Sequence, residues 1–163
     1  ADVTAAEYPA IATDLQAPFS AYLATLNGAS VVRDRVYPDR FTHVEEIRKA
    51  GADMELFERT LIIRGGRLAG ARMHAADIRA GGALVIAALS ATGTSEISGL
   101  QYIDRGYESF SERLAALGAK VLRRPGVTST PVRKPQEQTN TSRTTGEEAE
   151  APAEKTTAIH RLN

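Results

Sequence analysis

From Leu84 to Leu89 every residue is apolar, so a helix there has no wet face and should be buried. It follows Ala76-Asp77-Ile78-Arg79-Ala80-Gly81-Gly82, a short turn carrying one acid and one base. A buried helix with both charges at its entrance is suited to hold them at the mouth of a cleft. A related arrangement comes earlier. Ala12-Thr13-Asp14-Leu15-Gln16-Ala17 opens a second helix, in which Leu15, Phe19, Tyr22, Leu23 and Leu26 recur at helical spacing. Thr13-x-x-Gln16 fits a capping box. Pro18 cannot donate to the carbonyl four residues back, which predicts a kink, and Gly28 ends the helix.

Between and after these helices the pattern shortens. Ser30 to Val36 is β-prone, and Tyr37-Pro38-Asp39-Arg40-Phe41 reads as a turn. Val44, Ile47 and Ala50 line a short helix that stops at Gly51. Ala52 to Phe57 and Thr60 to Arg64 predict two strands joined by a tight turn, and Arg72 to Ala75 a further strand. Beyond the buried helix come a strand at Thr94 to Ser98 and a turn at Tyr102 to Gly106. An amphipathic helix then carries Tyr107, Phe110, Leu114 and Leu117, and a strand runs over Ala119 to Arg123. Ala1 to Ala10 shows no regular pattern. Thr, Ser, Pro, Glu and Lys dominate Val127 to Lys155, with no aromatic residue. Such a segment buries too little apolar surface to offset its ordering entropy, so residues 126–163 are expected to be a disordered tail.

The two halves echo each other. Asp14 maps to Asp77, 63 residues on; Asp39-Arg40 maps to Asp104-Arg105, 65 on; Gly51-Ala52 maps to Gly118-Ala119, 67 on. Small loop insertions account for the growing offset. The prediction is an α/β protein of two repeat units, about residues 8–66 and 67–125, with helices inside and sheets outside.

Composition narrows the function. Twenty basic and twenty acidic residues among 163 cancel, which gives no reason to expect nucleic acid or an anionic membrane as partner. No run of apolar residues is long enough to span a bilayer. There is no cysteine, hence no disulfide or thiolate chemistry, and a cytoplasmic setting is compatible. The chain begins with Ala, and a removed leader or an upstream part would leave no trace. His43, His74 and His160 lack metal-ligand spacing, and Gly65-Gly66 and Gly81-Gly82 do not make a phosphate loop. No metal or cofactor is expected. Taken alone, Asp14 and Asp77 read equally as acids favoured at helix starts, and the Asp-Arg turns as solvated loops.

Four strings change the weighting: Thr13-Asp14-Leu15-Gln16-Ala17, Asp39-Arg40-Phe41-Thr42-His43-Val44-Glu45-Glu46, Asp77-Ile78-Arg79-Ala80-Gly81 and Asp104-Arg105-Gly106-Tyr107-Glu108. With their spacing, from about Tyr8 to Arg124, the chain resembles the enolpyruvyl transferases, on the branch that uses UDP-N-acetylglucosamine. The sister 3-phosphoshikimate 1-carboxyvinyltransferase shares the fold but is not expected to carry these strings. The resemblance implies an inside-out α/β enzyme with its cleft between two domains of three repeat units each, of which this chain looks like two units of one domain. A missing N-terminal part is implied, and the family's Lys-Asn motif and reactive cysteine loop match nothing here. The implied reaction moves the enolpyruvyl group of phosphoenolpyruvate to a sugar hydroxyl. By the same resemblance, Asp14 would contact that hydroxyl, Val36 would give a backbone contact to the nucleotide, and Arg105 would meet the phosphoenolpyruvate anion. Asp77, Arg79 and Arg40 would line the cleft, and Asp14, Asp77 and Arg105 are the candidates for catalysis. The isolated chain is expected to be inactive; the competing expectation is a silent module that binds a nucleotide sugar or a partner.

Overall fold

The computed structural model describes residues 1–37 and 39–124 and the backbone of a strand at Thr156–His160. Two four-stranded sheets flank a pair of central helices. In the first unit, β1 (Asp2–Ala5), α1 (Gln16–Ala24), β2 (Gly28–Asp34), α2 (Thr42–Arg48), β3 (Asp53–Phe57) and β4 (Thr60–Gly65) form a sheet of order β1-β2-β4-β3. In the second, β5 (Arg72–His74), α3 (Ile78–Ser90), β6 (Thr94–Ser98), α4 (Leu100–Asp104), α5 (Phe110–Ala116), β7 (Lys120–Arg124) and β8 (Thr156–His160) give the order β5-β6-β8-β7. The orders correspond strand for strand. In each sheet the first pair is parallel and the other two are antiparallel. The repeat seen in the sequence is therefore a repeat of topology.

α1 packs on β1, β2 and β4, α3 packs on β6 and β8, and the two helices pack on each other. The faces in contact are lined with small residues. Ala17, Ala21 and Ala24 of α1 and Ala80, Ala83, Ala87 and Ala88 of α3 are all buried, which lets the two backbones approach closely. Of the apolar run, Leu84, Val85, Ala87 and Ala88 are core, while Ile86 and Leu89 are partly buried against it.

Several local expectations are corrected. Residues near the N-terminus are not irregular: Asp2–Ala5 form β1, paired in parallel with Val31–Asp34, so the first unit begins before residue 8. Thr13 does not cap a helix. A single 3-10 turn at Thr13–Leu15 precedes α1, Gln16 turns its amide toward Ser20, and the Thr13 hydroxyl donates to Asp34. Donation to a carboxylate is a strong, charge-assisted bond, and it holds the side chain toward β2. Pro18 makes no kink, because α1 starts at Gln16 and places it in the first turn, where N–H groups have no helical partner. Leu100–Asp104 is a short helix where a turn was expected. It leaves Gly99, at φ +78°, whose Cβ would stand 2.2 Å from the Ala75 carbonyl oxygen. Of the tail predicted to be disordered, Thr156–His160 is instead an interior strand of the second sheet; the rest of that expectation lies outside the described residues.

Candidate functional site

The N-terminal ends of α1 and α3 lie side by side, and this juxtaposition builds the site. Asp14, in the 3-10 turn before α1, accepts on Oδ1 from Arg79 Nε at 2.5 Å and from Arg40 Nη1 at 3.1 Å. The two arginines come from different units: Arg79 from the first turn of α3, Arg40 from the turn after β2. The Asp14 side chain is 65% exposed, whereas those of Arg40 and Arg79 are 25% and 33% exposed. The Asp14 Oδ2 oxygen takes no hydrogen bond among the described residues. Asp14 is held below the usual carboxylate range, first by the hydrogen bond from Arg79, against the opposing pull of partial burial, with the charges of Arg79 and Arg40 adding to the lowering. The sequence marks Asp14 as an acid at a helix start; in the structure its lowered pKa comes chiefly from a guanidinium.

Asp77 serves its own helix. Its Oδ1 accepts from the backbone N–H groups of Arg79 (2.8 Å) and Ala80 (3.0 Å), the arrangement of an N-cap. The Thr42 hydroxyl donates to its Oδ2 at 3.3 Å, and Glu46 accepts from the His74 backbone N–H, so α2 is tied to the second unit at two points. Arg105 is not part of the Asp14 cluster. It stands exposed after α4, on a cavity of 340 Å³ lined by Asp77, Ile78, Tyr102, Arg105 and Gly106. Asp77 is thus the residue shared between the cluster and the cavity. Gly106 lets Ile78 lie close against that wall: a Cβ there would fall 1.8 Å from Ile78 Cδ1, which would have to swing away.

Sequence reasoning missed the residue that sets the loop between β2 and α2. Asp34 is fully buried at the end of β2. Its Oδ1 accepts the backbone N–H groups of Val36 (2.8 Å) and Tyr37 (2.9 Å), and its Oδ2 accepts the Thr13 hydroxyl at 2.5 Å. Val36 is therefore a pinned backbone position, and its N–H is already committed. The turn carries Tyr37 under the Arg40 guanidinium, 3.6 Å from its ring centroid, while Arg40 Nη1 also reaches Thr13 Oγ1 at 3.3 Å. One chain of contacts thus runs from Asp34 through Thr13 and Arg40 to Asp14 and Arg79. His43, also missed, is buried beneath this end with neither ring nitrogen hydrogen-bonded. Burial lowers its pKa to about 4, against the opposing charge of Asp77.

A larger hollow of 610 Å³ lies at the other ends of α1 and α3, lined by Thr25, Gly66, Arg67, Leu68, Leu89, Ser90 and Thr92. It gathers no carboxylate and a single guanidinium, so the charged end is the better candidate. No group of three or more His, Cys, Asp or Glu that could hold a metal occurs among the described residues.

The family model for EPSP synthase (3-phosphoshikimate 1-carboxyvinyltransferase) matches residues 1–114. The chain belongs to this family of enolpyruvyl transferases. Among its relatives is the UDP-N-acetylglucosamine 1-carboxyvinyltransferase of Thermus thermophilus, 59% identical over 119 residues that make up 73% of this chain and 28% of that protein. The enzymes of the same name from Deinococcus radiodurans (49% over 121 residues, 74% and 28% of the two chains) and "UDP-N-acetylglucosamine 1-carboxyvinyltransferase 2" of Bacillus subtilis (47% over 123 residues, 75% and 29%) also match. Among solved structures, the enolpyruvyl transferase NikO from Streptomyces tendae superposes with a TM-score of 0.65 at 26% identity, covering 72% of this chain and 27% of that one. EPSP synthase from Acinetobacter baumannii, at 16% identity, TM-score 0.58, and 93% and 30% coverage, shows the shared fold. The chain spans less than a third of the length of these enolpyruvyl transferases. No helix among the described residues is long and apolar enough to cross a membrane.

Proposed function

We propose that this chain supplies two repeat units of one domain of an enolpyruvyl transferase, and with them part of a cleft for phosphoenolpyruvate and UDP-N-acetylglucosamine. The observation that carries the reading is the convergence of Asp14, Arg40 and Arg79 from both units onto one point, in a chain 59% identical over 119 residues to a UDP-N-acetylglucosamine 1-carboxyvinyltransferase. Addition of a sugar hydroxyl to the enol phosphate carbon, with a proton delivered to the methylene carbon and removed again as phosphate leaves, needs cations for the phosphate and carboxylate, an acceptor for the hydroxyl proton and an acid for the methylene carbon. The last is not assigned to a residue of this chain. Arg40 and Arg79 are those cations in this reading, Arg105 a third across the cavity, and Asp14 the acceptor. Asp77 orients Arg79 by capping its helix, and Asp34 fixes the Val36 backbone against the nucleotide.

The ion pairs have a consequence for the order of events. While both guanidiniums face Asp14, its carboxylate is too weakly basic to take a proton from an alcohol. Phosphoenolpyruvate offers the arginines a more highly charged anion. Their turning toward it frees Asp14 and restores its basicity where the sugar hydroxyl arrives. Asp14 first orients that hydroxyl through a hydrogen bond and accepts its proton as the new C–O bond forms. Both substrates are charged and water-soluble, which supports a cytoplasmic setting for this chemistry.

A chimera tests the reading. The 119 matched residues of this chain replace their counterparts in the Thermus thermophilus relative, and phosphate release is followed with both substrates. The expected outcome is turnover that Asp14→Ala and Arg79→Ala each abolish. A folded chimera that releases no phosphate refutes the proposal.

A further inference from the structure

The Asp14 cluster takes one arginine from each unit, so its geometry depends on how the units are held together. α1 and α3 meet along a face lined largely with small residues. Small side chains make shallow ridges, which resist sliding of one helix along the other only weakly. At the charged end, side chains cross the boundary from Arg79 to Asp14, from Thr42 to Asp77 and from Glu46 to the backbone of His74. The first of these is the exposed pair that has to be placed. The Thr42 hydroxyl is exposed and stands 3.3 Å from its acceptor. Glu46 differs from both. Its side chain is 18% exposed, its Oε2 accepts the His74 N–H at 2.8 Å, and Lys49 Nζ balances its charge at 2.6 Å.

The N–H that Glu46 takes is one the sheet cannot use. β5 lies at the edge of its sheet and pairs with β6 alone. The Ala75 N–H donates inward, to Ser98, so by the alternation of a strand the His74 N–H points outward. An outward N–H at a sheet edge is open to an acceptor from elsewhere. Here the acceptor is a carboxylate, which makes the bond charge-assisted. It fastens α2 to the strand that leads into Asp77 and α3. Arg40 stands just before α2, and Arg79 lies in the first turn of α3. A clamp between α2 and β5 therefore joins the supports of the two arginines.

We propose that Glu46 is a positioning residue for the Asp14 site: by holding α2 to β5 it fixes Arg40 relative to Arg79, so that both guanidiniums reach one carboxylate. Its own hydrogen bonds run to His74 and Lys49 and to none of those three residues, so it acts through the backbone it clamps. The titration of Asp14 separates this role from a simple charge effect. Removing a nearby negative charge lowers the pKa of a carboxyl, whereas withdrawing a guanidinium from it raises the pKa. Loss of Glu46 as a charge and loss of Glu46 as a clamp push Asp14 in opposite directions. Any effect on turnover rests on the enolpyruvyl-transfer reading; the effect on the cluster does not.

The test follows the Asp14 carboxyl by carbon NMR and the His74 amide by hydrogen exchange, in the whole chain without substrates. In Glu46→Ala the His74 amide should lose protection, and Asp14 should titrate higher than in the wild type, in the direction of Arg79→Ala. Glu46→Gln removes the same charge but keeps an acceptor, so the amide should stay protected and Asp14 should not rise. Lys49→Met should leave both signals in place. If Glu46→Ala does not fold, Glu46→Asp, one methylene short of its acceptor, takes its place in the same comparison. An exposed His74 amide with Asp14 titrating as in the wild type, or lower, overturns the proposal. So does a His74 amide that stays protected without Glu46, or an equal rise in Glu46→Gln. In the chimera, Glu46→Ala should lower turnover and Glu46→Gln should restore most of it. A parent chimera with no turnover would refute the enzymatic reading and leave the titration to decide the clamp.

Discussion

His43 makes the stability of this protein depend on pH in a range where few carboxylates titrate. The ring is 1% exposed and neither nitrogen is hydrogen-bonded. It stacks on Phe41 with centroids 6.1 Å apart, and Asp77 is the charged group that acts on it. Burial lowers its pKa from 6.5 to about 4. The unfolded chain therefore binds more protons than the folded one between those values. Stability is full above pH 6.5 and falls as the pH drops toward 4. The shift corresponds to about 3 kcal/mol in total, of which about 2 kcal/mol is lost by pH 5. Urea denaturation followed by circular dichroism, at steps from pH 7.5 to 5, measures this directly. His43→Leu fills a similar space without a titrating group. It should match or slightly exceed the wild type at pH 7.5, because no hydrogen bond is lost, and should lack the acid-side decline. His74 and His160 are common to both proteins and cancel in the comparison. Parallel curves for the two proteins would refute the reasoning, as would a His43→Leu variant destabilised by more than about 2 kcal/mol at pH 7.5, the cost of a lost buried hydrogen bond.

Four further outcomes follow from the same geometry. Asp34→Ala removes the acceptor of three hydrogen bonds from a buried position and should cost about 2–4 kcal/mol, read as a lower melting temperature. Asp34→Asn, which keeps an acceptor for the Val36 and Tyr37 N–H groups, should fall between it and the wild type. The Asp14 carboxyl, followed by carbon NMR, should titrate below its ordinary value and move back up in Arg79→Ala; the stability it adds is present above that ordinary value and lost as the pH falls through the lowered one. Because the pair is exposed, Asp14→Asn should change stability by less than about 1 kcal/mol. Gly99→Ala sets a Cβ against the Ala75 carbonyl at a positive φ and should destabilise by at least about 1 kcal/mol in a thermal melt. Finally, Leu15, Tyr22 and Leu26 are 49%, 51% and 39% exposed along one side of α1, an apolar stripe that predicts concentration-dependent self-association in sedimentation, reduced by Tyr22→Lys.

The features legible in the sequence are those written in one local stretch. The run from Leu84 to Leu89 announces a buried helix because no spacing of polar residues can give it a wet face. The repeat is legible because its acids, arginines and glycines recur in order, and the sheets recur with them. What escaped depends on pairing at a distance. Asp34 looks like any acid at a strand end; its role exists only where Thr13, Val36 and Tyr37 meet it. β1 and β8 carry little of the branched apolar pattern that marks a strand, and each is specified by the neighbour it joins. The capping box at Thr13 failed for the same reason, since its hydroxyl is held by a carboxylate distant in the chain.

Asp77 shows how a duller reading and a functional one coexist. As an isolated residue it is a helix-start acid, and the structure gives it that work: its Oδ1 caps α3. Yet the cap fixes the first turn of α3, from which Arg79 reaches Asp14, and the same residue lines the cavity that holds Arg105. Exchange of Asp77 for Ala would remove the cap and leave the Arg79 charge in place but unaligned. A loss confined to alignment differs from a loss of charge. In the chimera, Asp77→Ala should weaken turnover by less than Arg79→Ala, because the guanidinium is kept, and added salt should depress Asp77→Ala the more, because screening matters most where a guanidinium still faces its anion.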